Sequence, residues 1–348
     1  MDKELDCDFY FGHTVNSPIK KLDYNRLTNY KKEVRNHWIF NTTFIWQFKV
    51  WPLVFKRYKY YILTGEPSIL SNWLIMILGR LLGKKVLVWS HGMKGDPKKK
   101  ADWFELYFYK LTSKILLYGN HSRNVMLRRG FSKDKLVCIY NSLDHDKQIK
   151  IRSNLTYTDI YKNHFKNDSP TLLFIGRIQE SKKLDLLIEA LTILNNEGVE
   201  CNLVFVGRDL GDNNVKEMVL NKNLSDKVLF YGPCYDEDKL GELIYNATVC
   251  VSPGSVGLTA IHSLAYGTPV ISHDNFYEQA PEHEVITKGK TGDFYKYGDI
   301  DHLCETLKKW LRIDGKLRED IRKNCYDIID RKWNPKFQLK ILDEVTKN

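Results

Sequence analysis

Two cations five residues apart, Arg177 and Lys182, flank a loop that follows the apolar run Thr171–Ile175 and opens at Gly176. Some seventy residues later Val251 to Ser272, VSPGSVGLTAIHSLAYGTPVIS, reads as strand, glycine loop, helix, turn and strand. In its helical part Leu258, Ile261, Leu264 and Ala265 share one face, so the helix can lie on a sheet while its first turn points at the loop. The amides of Gly257, Leu258 and Thr259 are then unpaired donors at the positive end of a helix, a site for phosphate. Two cations beside oriented amides suit a pyrophosphate that gains charge as its bond to a sugar breaks. The plainer reading is an ordinary βαβ unit with a glycine turn and two solvated cations. HExxH, a Ser-His-Asp arrangement and GxxxxGK[ST] are missing, which leaves metalloprotease, serine hydrolase and P-loop NTPase without support.

These loops need sheets to carry them. The first half alternates short apolar runs (Asp8–Gly12, Tyr60–Gly65, Lys85–Trp89, Lys114–Gly119) with longer helical patterns, as in a parallel sheet covered on both faces. Ligands of such sheets gather at the carboxyl ends of strands, which makes His91, directly after one of them, a candidate for sugar or phosphate contact; the alternative is a loop histidine without a duty. A polar stretch from Lys150 to Pro170 marks the domain boundary, and a second alternating series begins at Thr171: strands at Thr171–Ile175, Asn202–Val206, Val228–Tyr231 and Thr248–Ser252, with a helix over Leu184–Asn195.

At 348 residues the chain has room for two cores. Lysine plus arginine outnumber aspartate plus glutamate 53 to 43, giving +10, which favours anionic partners without choosing among phosphorylated metabolites, acidic membranes and nucleic acid. The seven cysteines are scattered and never in CxxC spacing, as expected of core thiols in a reducing compartment, and the residues after Met1 do not read as a secretory signal; a cytoplasmic protein is expected. Two segments invite a lipid reading. Ile45 to Tyr61 mixes aromatics with Lys49, Lys56, Arg57 and Lys59, as interfacial helices do on acidic bilayers, although Pro52 interrupts it. Ile69 to Lys85 is apolar and ends in Arg80, Lys84 and Lys85; an internal helix covering the sheet is expected there.

Phe174-Ile175-Gly176-Arg177 with Lys182, Asp185 to Ala190, Ser252-Pro253 with Gly257-Leu258, Ala265 to Val270, Glu284-Val285-Ile286 and Gly289 to Gly292 together resemble glycosyltransferase family 4, the retaining GT-B enzymes that use nucleotide sugars. Tyr140 to Asp144 fits the same pattern; the resemblance is specific over 171–299 and looser before it. It implies an α/β GT-B fold of two Rossmann-like domains facing each other across a cleft: residues 1–165 on the acceptor side, 166–330 on the donor side, and a helix over 331–348 crossing back. It assigns Arg177 and Lys182 to the donor diphosphate with Gly176 and the amides of Gly257, Leu258 and Thr259, places Pro233 and Cys234 near the nucleobase, and matches His91 to the histidine that contacts the donor sugar. The partners it implies are a nucleotide-diphosphate sugar and a glycan or lipid-linked acceptor; no nucleic acid and no metal or other cofactor is expected, and the basic, aromatic Ile45–Tyr61 stretch keeps a peripheral place on an anionic membrane in view.

The departures are equally specific. The family carries two glutamates eight apart, the first on the sugar and the second on the ribose; here those positions are Gly254 and His262. Histidine can still hydrogen-bond a hydroxyl, whereas glycine offers only its backbone. The family also opens with a strand and glycine loop one βα unit before the segment that Asp8–Gly12 resembles. Beside retaining sugar transfer two other readings stay open: a nucleotide-sugar-binding subunit without turnover, and a sugar-nucleotide epimerase.

Overall fold

The computed structural model describes residues 1–13, 21–39, 43–95, 103–313 and 315–347. The chain divides into two compact units, Met1–Ile139 with Gln338–Asn348 and Tyr140–Phe337. The polar stretch 150–170 is therefore not the boundary. Its helices, within α4 (His145–Arg152) and α5 (Ile160–Phe165), send Ile151, Tyr161 and Phe165 into the core of the second unit beside Leu173 and Val204. Three apolar residues spread over fifteen positions anchor two short helices without producing a periodic signal.

In the first unit β1 (Phe9–Gly12) pairs in parallel with β2 (Tyr30–Val34), and β3 (Asn36–Trp38) pairs antiparallel with β4 (Ile45–Gln47). A four-stranded parallel sheet follows, in the order β5 (Tyr60–Thr64), β6 (Lys85–Ser90), β7 (Lys114–Leu117) and β8 (Leu136–Cys138). The connecting helices are α1 (Leu70–Leu81), α2 (Trp103–Leu111) and α3 (Asn120–Arg128), and the core gathers Ile75 and Met76 of α1, Phe108 of α2 and Val125 of α3 around Val86, Val88 and Ile115. Ile45 to Tyr61 is not an interfacial helix. Lys49 takes a left-handed φ of 62°, Pro52 sits in a single 3-10 turn (Trp51–Phe55), and the chain runs on into β5. Leu342 and Val345 pack with Leu87, Leu116 and Ile139, so the carboxyl-terminal segment belongs to the first unit's core.

The second unit is one parallel sheet. Its strands are β9 (Thr171–Ile175), β10 (Asn202–Val206), β11 (Val228–Gly232), β12 (Val249–Ser252), β13 (Val270–His273) and β14 (Gly292–Tyr295), in the order β11-β10-β9-β12-β13-β14. Strands β10 and β12 are buried at every residue, as parallel strands with helices on both faces must be. The unit's helices are α4, α5, α6 (Asp185–Asn196), α7 (Val215–Asn221), α8 (Glu237–Asn246), α9 (Leu258–Ala265), α10 (Ile300–Leu311) and α11 (Gly315–Lys332), whereas most of α12 (Pro335–Lys347) belongs to the first unit. Leu187, Ile188, Leu191 and Leu194 form the buried stripe of α6, the face that its spacing predicts. The chain lays β9, β10 and β11 outward in one direction and then places β12 on the other side of β9. That reversal opens a crevice beyond the carboxyl ends of β9 and β12, where doubly wound sheets bind their ligands. Among the described residues no helix is long and apolar enough to cross a membrane.

Candidate nucleotide-sugar site

The loops leaving β9 and β12 are locked together at the crevice. The amide of Gly254 donates to the carbonyl of Lys182 at 2.9 Å, and the Lys182 ammonium donates to the carbonyl of Ser255 at 2.6 Å. The Thr259 hydroxyl donates to the carbonyl of Ile175 at 2.9 Å, which seats the first turn of α9 on the end of β9. Gly176 holds a φ of 145°, and its carbonyl lies 1.7 Å from where a Cβ on Gly207 would stand, so two strand ends approach backbone to backbone.

The electrostatics of this corner favour an anion. Burial, and then the charge of Arg177, lower the pKa of the Lys182 amine, with Glu282 pulling the other way. Arg177 itself is exposed and has no hydrogen-bond partner among the described residues. The amide of Val256 is taken by Gln279 Oε1 at 2.9 Å, whereas the amides of Gly257, Leu258 and Thr259 find no acceptor among the described residues. A Cβ on Gly257 would meet nothing within 4 Å, so the loop is open on that side of the residue. Two cations and three free amides thus converge on one corner, and an arriving diphosphate would relieve the repulsion between the cations.

Gly254 has a different meaning from the one its position suggests. A Cβ there would stand 2.6 Å from the carbonyl oxygen of Ser181 and 2.9 Å from Cα and C of Lys182. The loop carrying Lys182 fills the space a side chain would need, and glycine is what allows the two loops to lock.

His262 is not an unattended group either. Its Nε2 lies 2.8 Å from Glu237 Oε1, which also accepts from the Tyr266 hydroxyl at 2.8 Å and from Gln148 Nε2 at 3.3 Å. Glu237 escaped the sequence reading because it belongs to α8, on the far side of a strand from His262. The readable signal was Asp236, which caps α8 by accepting from the amides of Asp238 and Lys239 and so places Glu237 at the first helical position. Although burial opposes ionisation, the hydrogen bonds from His262, Tyr266 and Gln148 and the histidine's charge bring the Glu237 carboxyl down to about 2. A folded-state pKa below the ordinary 4.5 means stability that is present above about pH 4.5 and lost as pH falls toward 2. Allowing for partial exposure, Glu237→Gln is expected to cost about 1–2 kcal/mol at neutral pH. The gap between variant and wild type in urea unfolding should narrow as the pH is lowered below about 4.5. A gap independent of pH would show that the carboxylate charge is not what Tyr266 and His262 hold.

Glu282 is buried and accepts from Asn141 Nδ2 at 2.7 Å. Pro233 and Cys234 lie just beyond β11, with the Cys234 thiol directed to the carbonyl of Asp236 at 3.5 Å, in the turn that leads to Glu237. The second unit therefore brings Gly176, Arg177, Lys182, Gly254, Gly257, Leu258 and Thr259 into one corner, while His262 is tied to Glu237 and Pro233 and Cys234 lie in the turn that precedes it. His91 belongs to the first unit. It follows β6, is exposed, and packs against Tyr118 with ring centroids 4.8 Å apart, while its carbonyl accepts from Ser122 Oγ at 2.6 Å.

Two units built on parallel sheets, the second with a cationic, amide-lined crevice at its strand reversal, define a GT-B architecture. Residues 158–327 match the family model of glycosyl transferases group 1. The putative glycosyltransferase EpsD of Bacillus subtilis is 28% identical over 231 residues, covering 62% of this chain and 58% of that one. A 41.2 kDa protein of the cps region of Klebsiella pneumoniae is 25% identical over 213 residues, covering 60% of this chain and 55% of its own. The chain thus spans little more than half the length of these relatives. Among solved structures, HepE of Anabaena in complex with UDP superposes with a TM-score of 0.67 at 14% identity, covering 85% of this chain and 82% of HepE, a likeness of fold.

Proposed function

We propose that this protein transfers a sugar from a nucleotide-diphosphate sugar to a glycan or lipid-linked glycan acceptor with retention of configuration, in the assembly of a surface polysaccharide. The observation that carries the reading is the convergence of Arg177, Lys182 and the open amides of Gly257, Leu258 and Thr259. UDP is the first nucleotide to test, because HepE is held in complex with it, and the cps-region and EpsD relatives support a polysaccharide acceptor. The seven cysteines, none of them in a disulfide, fit a cytoplasmic setting.

The chemistry follows from where charge develops. As the bond from the sugar to the diphosphate breaks, negative charge grows on the leaving oxygen; Arg177, Lys182 and the amide dipoles stabilise it in place, with no metal ion needed for that task. The acceptor hydroxyl attacks from the same face and the departing phosphate takes its proton, so configuration is kept without a protein nucleophile. Glu282, buried against Asn141, is poorly placed to be one. Incubation of the purified chain with UDP-sugars and oligosaccharide or lipid-linked acceptors, with anomers read by NMR in the presence and absence of EDTA, tests the proposal. Binding without turnover would turn it into a partner subunit, and epimerised donor into an epimerase.

The ribose would meet His262. Because Glu237 is a carboxylate it accepts the Nε2 proton of the neutral ring, which leaves Nδ1 as the acceptor for a hydroxyl. His262→Ala is expected to weaken nucleoside diphosphate by about 1–3 kcal/mol. Equal affinities by calorimetry would leave His262 as a structural partner of Glu237.

A further inference from the structure

The layer of the first unit that covers its sheet is apolar on both sides. Helix α1 turns Ile75 and Met76 inward, yet its outer stripe, Leu74, Ile77, Leu78 and Leu81, is also aliphatic, and Leu81 is 77% exposed. A helix apolar all round belongs in a core or against lipid rather than water. Its neighbours continue the surface. Helix α2 stacks Phe104 on Trp73 of α1 and exposes Trp103 (69%) and Tyr107 one turn later, and the 3-10 turn packed on α1 exposes Phe55 (60%). Scattered exposed hydrophobics are ordinary, but three adjoining elements presenting them together mark an interaction surface.

Charge says what covers it. Residues 43–95 hold eight lysines and arginines against the single acid Glu66. Arg80 and Lys85 border Leu81, and Lys110, whose carbonyl accepts from the Lys135 ammonium at 2.8 Å, ends α2; Glu105 and Asp134 are the acids of the adjoining elements. Among the described residues Arg80, Lys85 and Lys110 enter no ion pair. We infer that the outer face of α1, α2 and the turn Trp51–Phe55 docks on an anionic lipid bilayer, Leu81 and Trp103 entering the headgroup boundary and Arg80 and Lys85 meeting lipid phosphates. Trp and Tyr at such a face have one apolar and one polar end, the balance that a bilayer boundary favours. A second copy of the chain would set the same cations against each other across a two-fold axis. Nucleic acid offers no partner for protruding aliphatic side chains. Lipid docking needs neither donor nor turnover, so its failure and that of the proposed transfer are separable.

The test is sedimentation of the full chain with phosphatidylcholine vesicles, with and without phosphatidylglycerol. Wild type should bind the anionic vesicles, more weakly as salt rises, and bind pure phosphatidylcholine poorly. Each basic residue at such a surface is worth about fivefold, so Arg80→Glu with Lys85→Glu should weaken binding by about 25-fold or more. Leu81→Asp and Trp103→Ala, both at exposed positions, should each lower binding at low salt while melting and UDP affinity stay unchanged. The inference is overturned by no binding of wild type to anionic vesicles at low salt, or by binding indifferent to Leu81→Asp and Trp103→Ala. It is equally overturned by a dimer that Leu81→Asp dissociates in a protein that ignores vesicles, and by competition from polynucleotide that the apolar substitutions leave untouched.

Discussion

Arg177→Ala is expected to lower kcat by about 10²- to 10³-fold, the scale for removing one preorganised donor to developing negative charge. Stability should change by no more than about 0.5 kcal/mol, because the guanidinium is exposed and has no hydrogen-bond partner among the described residues. Lys182→Ala should lose activity on the same scale but also loosen the site, since its ammonium holds the carbonyl of Ser255. The pair separates electrostatics from architecture: one variant melts like wild type and is inactive, the other is inactive and less stable. Calorimetric titration with a nucleoside diphosphate provides the independent check. Affinity unchanged in both variants would remove these residues from the diphosphate and take the proposed transfer chemistry with them.

What the sequence made legible is local. The carboxyl ends of β9 and β12 can be read from apolar runs closed by glycine, and α6 from its stripe of Leu187, Ile188 and Leu191, because strand and helix periodicities are properties of neighbouring residues. Arg177 and Lys182 were legible for the same reason, being two cations in one loop. The hidden features come from residues that meet only after folding. Glu237 reaches His262 from a different helix, so the substitution at 262 reads as a lost carboxylate in sequence and as a paired imidazole in the structure. The boundary at Ile139 is set by Ile151, Tyr161 and Phe165, too widely spaced to signal a core. The spacing of α1 correctly implied an inward face, yet its second apolar stripe acquires meaning only once α2 and the turn Trp51–Phe55 are seen beside it.

Gly254→Glu restores the residue that the resembling family carries at this position, and it is expected to damage the protein rather than improve it. The Cβ alone would stand 2.6 Å from the Ser181 carbonyl oxygen and 2.9 Å from Lys182 Cα, contacts with backbone that no side-chain rotation relieves. Relief requires parting the loops joined by the bond from the Gly254 amide to the Lys182 carbonyl, at about 1–3 kcal/mol for an overpacked interior. The displacement falls on Lys182 itself, and a shift of about 1 Å in a positioned group can cost about 100-fold in rate. Gly254→Ala carries the same Cβ without the carboxylate, so the two variants should lose nucleoside diphosphate affinity and turnover alike, the glutamate adding repulsion toward the phosphates. Measured melting, diphosphate affinity and kcat decide the matter. A Gly254→Glu variant that binds donor as well as wild type and turns over faster would show that the loops part readily, and that glycine here is a missing catalytic group rather than a packing requirement.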